Sequence, residues 1–112
     1  MKIVFTLQGD GRDGLVDRRF GRADTFLIYN SETDERQLVA NAAVDAAMGA
    51  GLKAAENIVA LGAVALVTGE CGVKALHALH RAGVKVYSTD SATFEDALEE
   101  LRQGSLREAQ PA

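Results

Sequence analysis

Residues 63–88 read AVALVTGECGVKALHALHRAGVKVYS, and this stretch decides the fold. AVALVT (63–68) is apolar up to its closing threonine with no polar alternation, the pattern of a strand buried on both faces in a parallel sheet. Gly72–Ala82 reads as a helix, with Val73, Ala75, Leu76, Ala78, Leu79 and Ala82 on one face and Lys74, His77 and Arg81 on the other. Gly83 closes it, and VKVYS (84–88) is the next strand. A strand, a helix and a second strand in close succession require a crossover and a parallel pair.

Upstream the pattern differs. KIVFTL (2–7) is a strand with a continuous apolar centre, and QGDGRDG (8–14) is a glycine-punctuated loop. TFLIYN (25–30) and RQLVAN (36–41) read as a hairpin around a polar turn. AAVDAAMGAG (42–51) is read as an entry loop, because Gly49 and Gly51 outweigh its alanines. Ala50–Leu61 is a helix with Leu52, Ala55, Ile58 and Val59 as its apolar stripe. Thr93–Gln103 is a third helix, with Thr93 as N-cap and Gly104 as stop. The order is β-β-β-α-β-α-β-α, which predicts one mixed five-stranded sheet with helices packed on it. Residues 1–106 form the expected single domain, and 107–112 a frayed C-terminal tail.

The chain has 112 residues, 47% hydrophobic, with a formal net charge of −4 and a single cysteine, Cys71. One cysteine forbids an internal disulfide and suits a reducing compartment. No secretory or membrane-spanning segment is expected, so the prediction is a soluble cytoplasmic protein. The longest basic run is Arg18-Arg19, too little for a nucleic-acid face.

Cys71, His77 and His80 fall together in TGECGVKALHALHRAG (68–83). The turn GECG (69–72) lies at the carboxyl end of a parallel strand and opens a helix, where open α/β sheets place ligands. Gly69 and Gly72 would let backbone approach a ligand, and the helix start would favour an anion and lower the thiol pKa. Such a place suits an anionic iron–sulfur-type cluster that accepts one sulfur ligand. A buried small hydrophobe remains the alternative for Cys71. His77 and His80 stand about 60° apart on their helix and can reach one metal, but one Cys and two His make a poor zinc site. Surface histidines beside Arg81 are the preferred reading.

RRFGRADTFLIYN (18–30), the GAG of 49–51, TGECGVKALHALHRAGVKVY (68–87) and ALEELRQGSL (97–106) occur in one order. Together they resemble the dinitrogenase iron–molybdenum cofactor biosynthesis family, the NifX- and NafY-like proteins also found as the C-terminal part of NifB. The resemblance runs from Met1 to about Leu106. It implies a ribonuclease H-like fold and transient binding or carriage of an anionic iron–sulfur or iron–molybdenum cluster, without catalysis. It further implies metallocluster donor and acceptor proteins as partners, and a monomer or weak homodimer. Carried over by residue, it marks Phe20, Gly21 and Arg22, then Gly69, Cys71, Gly72 and Lys74. Many members have histidine where this chain has Arg19, so a potential imidazole ligand becomes a cation for cluster charge. Arg19, Arg22 and Lys74 are thus the expected counter-charge, Cys71 the candidate metal ligand, and His77 and His80 weaker ones.

Other functions fit less well. A two-metal nuclease needs clustered carboxylates, and KIVFTL supplies none. Asp10, Asp13 and Asp17 belong to turn chemistry. Cys71 and His77 lack an orienting carboxylate for nucleophilic catalysis. Gly49-x-Gly51-x-x-Ala54 is a loose nucleotide-binding pattern in the wrong place, after a hairpin and a long loop. A protein-interaction or regulatory module using the same surface stays open.

Overall fold

The computed structural model describes residues 1–111 and contains one six-stranded mixed sheet with three helices. The elements are β1 (Lys2–Leu7), β2 (Thr25–Asn30), β3 (Arg36–Ala40), α1 (Ala50–Ala60), β4 (Ala63–Thr68), α2 (Val73–Arg81), β5 (Lys85–Ser88), α3 (Phe94–Gln103) and β6 (Arg107–Glu108). The strand order is β3-β2-β1-β4-β5-β6. β2 pairs antiparallel with both β1 and β3, whereas β4 runs parallel to β1 and β5.

The sheet is buried on both faces because its central strands are apolar at consecutive positions. In one transverse row Val4 is opposite Ile28 and Leu66, and these side chains join Ala54, Ala55, Ile58 and Leu79 of α1 and α2. In the next row Phe5 is opposite Leu27 and Val67, and these meet Phe94, Ala97 and Leu98 of α3. Adjacent residues serve opposite cores, as the strand period of two requires. α1 turns further than its sequence stripe suggests: Ala50, Ala54, Ala55 and Ile58 are buried, while Leu52 and Val59 are each 39% exposed. α3 begins as expected, with the Thr93 hydroxyl accepting from the Asp96 amide at 3.2 Å, and ends on left-handed Gly104.

The expectation of five strands and a frayed tail is corrected at the C-terminus. Leu106 packs into the α3-side core, and the backbone then turns along β5, with Arg107 opposite Ser88 and Glu108 opposite Tyr87. The amide of Ala109 donates to Val86 O at 2.7 Å, and Ala109 packs against the other core. The segment is held because it satisfies an otherwise open sheet edge. Ala112 lies outside the described residues.

Candidate functional site

The carboxyl ends of β1 and β4 are joined by a segment that is no strand of its own. After the glycine loop, Val16 bridges to Leu7, and Arg19 bridges in parallel to Glu70. The Glu70 amide donates to Arg18 O at 2.6 Å, and the Phe20 amide donates to Glu70 O at 3.1 Å. The arginine turn therefore lies directly beside the GECG turn. Buried polar groups fix it there: Thr6 Oγ1 donates to Asp17 O at 2.7 Å and pairs with Thr68 Oγ1 at 2.8 Å. The buried Asp17 carboxylate accepts from the Arg19 amide at 2.9 Å and lies 3.5 Å from Arg19 Nε.

Two glycines of the motifs are spent on this packing. A Cβ on Gly69 would stand 2.6 Å from Arg18 Cα, so Gly69 admits the neighbouring backbone, not a ligand. A Cβ on Gly21 would stand 2.6 Å from Gly51 N, so the FGRA turn rests on the first turn of α1. That contact also takes up the close approach at Gly51 which nucleotide phosphates would need. Gly72 differs, because nothing lies within 4 Å of a Cβ built there. It is the N-cap of α2, and neither α1 nor α2 has a side-chain cap or an acidic residue in its first turn. The α2 start is thus open and favours negative charge, whereas the α1 start, equally without a cap, is covered by the FGRA turn.

Phe20 is core, stacked on Phe26 with ring centroids 6.0 Å apart. Arg22 Nη1 donates to Val44 O at 2.9 Å and Ala46 O at 2.8 Å, so this cation braces the loop entering α1. Arg18 turns the other way, to Thr89 O and Asp90. Lys74 is exposed beside the α2 start. His77 is half-buried, and His80 is exposed in a separate cleft between α2 and β5. Among the described residues no three His, Cys, Asp or Glu side chains sit close enough to hold a metal ion.

Cys71 corrects one expectation. It lies in a cleft of about 320 Å³ with Gly69, Glu70, Tyr87, Ser88 and Ala109, and its side chain packs against the α1/α2 core. None of Arg19, Arg22 and Lys74 lines that cleft. Burial therefore outweighs the helix start, and the thiol is pushed up from 9.0 to about 11 instead of down. Cys71 is a protonated thiol at neutral pH.

Three positioning residues escaped the sequence reading. Asn41 is buried, and its amide nitrogen donates to Gly21 O at 3.2 Å and Ala23 O at 2.9 Å, clamping the FGRA turn. Thr6 and Thr68 join the strand ends beneath the arginines. An Asp two residues before Arg19 was a readable signal for the Asp17 turn; Asn41 and the threonines gave none.

With this geometry in view, the chain compares closely with known proteins. It is similar to the orange protein (ORP) of Desulfovibrio gigas, solved in its apo form, at 38% identity and TM-score 0.91 over 98% of this chain and 93% of that one. A Thermotoga protein provisionally named NifB matches at 31% identity and TM-score 0.82, covering 96% and 91% of the two chains. An uncharacterized protein of Methanocaldococcus jannaschii is 25% identical over 109 residues, 95% of this chain and 89% of its own. The family model described as dinitrogenase iron-molybdenum cofactor matches residues 1–104, and the chain belongs to that family.

Proposed function

We propose that this protein binds and carries an anionic iron–sulfur or iron–molybdenum-type cluster, or its precursor, as cargo and without catalysis. The observation that carries the reading is the placement of the Arg18–Phe20 backbone on Gly69–Glu70, which sets the arginine turn and two uncapped helix starts at one end of the sheet. Arg19, Arg22 and Lys74 supply long-range positive potential there, and the free amides of Gly72–Lys74 supply donors. Relatives named for an iron–molybdenum cofactor and for NifB support the choice of cargo. The strand order β3-β2-β1-β4-β5 supports the ribonuclease H-like assignment.

The donor set does not fit a resident four-ligand cluster, because one thiol stands alone. It fits loose, transferable cargo. Cys71 ligates only when a metal displaces its proton, so uptake through sulfur releases one proton and strengthens as pH rises. Anaerobic titration of wild type and Cys71→Ser with cluster, followed by absorbance and EPR, tests this. Distinct spectra place sulfur on the metal; identical spectra remove Cys71 from the site.

Met48 and Val73 favour a donor or acceptor protein at the same end. They are 85% and 67% exposed beside the starts of α1 and α2, and apolar side chains left in solvent next to a binding surface suit a docking partner.

A further inference from the structure

We propose that β6 is a detachable strap over the groove between α2 and β5, and that its release opens the way to Cys71. As control of access for the cluster, this rests on the reading above; as a statement about the thiol, it is testable without any cluster.

Ala109 is the clasp. It lines the Cys71 cleft, and it also lines the cleft of about 200 Å³ that holds Leu76 and His80. The His80 cleft runs along α2 and the Cys71 cleft lies just before the helix start; Val86 of β5 and Ala109 line both, and Glu108 lines only the first. Ala109 packs against the same apolar core as Cys71. The chain reaches this position by crossing the edge of the sheet, from Leu106 in the α3-side core to Ala109 in the other.

The attachment is slight. β6 pairs only at Arg107–Ser88 and Glu108–Tyr87, and Ala109 adds one amide bond to Val86 O. Its anchoring side chain in the groove is a single methyl group. Opening is easiest where few buried contacts and few edge hydrogen bonds must break, and here residues 107–109 can lift while Leu106 stays seated. β4 and β5 would keep their own pairing.

Lifting changes the groove in two ways. With Ala109 gone the two clefts join over Val86 into one channel running from Cys71 to His80. Glu108, which lines the His80 cleft, leaves with the strap, so an anion entering the groove meets the carboxylate of Glu70 alone. The closed form therefore disfavours anionic cargo by both volume and charge, and the open form relieves both.

The test is the rate at which an aromatic disulfide reagent modifies Cys71 in the full chain. Ala109→Pro removes the amide that donates to Val86, and loss of one hydrogen bond raises the open population, and hence the rate, about three- to tenfold. Ala109→Leu fills both clefts and slows the reaction. Both variants should unfold within a few degrees of wild type. Unchanged rates in the two variants would overturn the strap, as would rates that rise only in proportion to global unfolding in urea. A strap-dependent rate in a protein that takes up no cluster would refute the cluster reading and leave the strap standing.

Discussion

Gly21 and Gly51 meet backbone to backbone: a Cβ on Gly21 would lie 2.6 Å from Gly51 N and 2.7 Å from Gly51 Cα. Two motifs separated in sequence are thereby one structural unit, the FGRA turn seated on the first turn of α1. Gly69 and Arg18 repeat the device at the neighbouring turn, at 2.6 Å.

Gly21→Ala and Gly69→Ala should therefore each destabilise the protein by about 1–3 kcal/mol, since backbone atoms cannot rotate away from a new methyl group. Urea unfolding measures this. A cost below about 0.5 kcal/mol at either position would contradict the close approach.

Gly72 offers the opposite case. Its backbone is extended, at φ −61° and ψ 155°, and a Cβ there meets nothing. Gly72→Asp should cap α2 and be neutral or stabilising by a few tenths of a kcal/mol in thermal unfolding. The same added charge should weaken cluster uptake several-fold, separating the helix start's part in stability from its part in binding.

Thr6→Val keeps shape but leaves Asp17 O and the Thr68 hydroxyl without their buried partner. The expected loss is about 1–3 kcal/mol, with faster amide exchange of residues 16–20 as the local signature.

The Cys71 thiol sets a pH window. Its folded value is about 11 against 9.0 for the ordinary thiol, so the unfolded chain ionises first. The contribution is fully present below pH 9 and is lost as pH rises toward 11. Wild type minus Cys71→Ala stability should fall by up to about 2 kcal/mol across that window, a ceiling for a partly buried group. A flat difference would mean that the sulfur is well solvated.

Most of the fold was legible because its elements announce themselves locally. Consecutive apolar runs gave β1, β2 and β4 within a residue of their bounds, and Gly62, Gly83 and Gly104 marked helix ends. β6 was not legible: SLREAQPA has no strand pattern, and its pairing depends on the open edge of β5. The site was half legible. The meeting of GECG with the arginine turn follows from β4 lying beside β1, but sequence could not show that Gly69 faces Arg18. Nor could it show that Cys71 sinks toward the core, because desolvation depends on Ala109 and β5 closing from elsewhere in the chain.

The central claim is that the end of the sheet carrying the arginine turn and the α1 and α2 starts receives an anionic metal–sulfur cluster. The most direct measurement is an anaerobic NMR titration of labelled protein with a synthetic thiolate-capped iron–sulfur dianion, reading paramagnetic broadening amide by amide. Broadening concentrated at residues 18–22, 49–51 and 69–74 is the expected result. Broadening centred instead around Phe94 on the α3 side, or none at all, would contradict it.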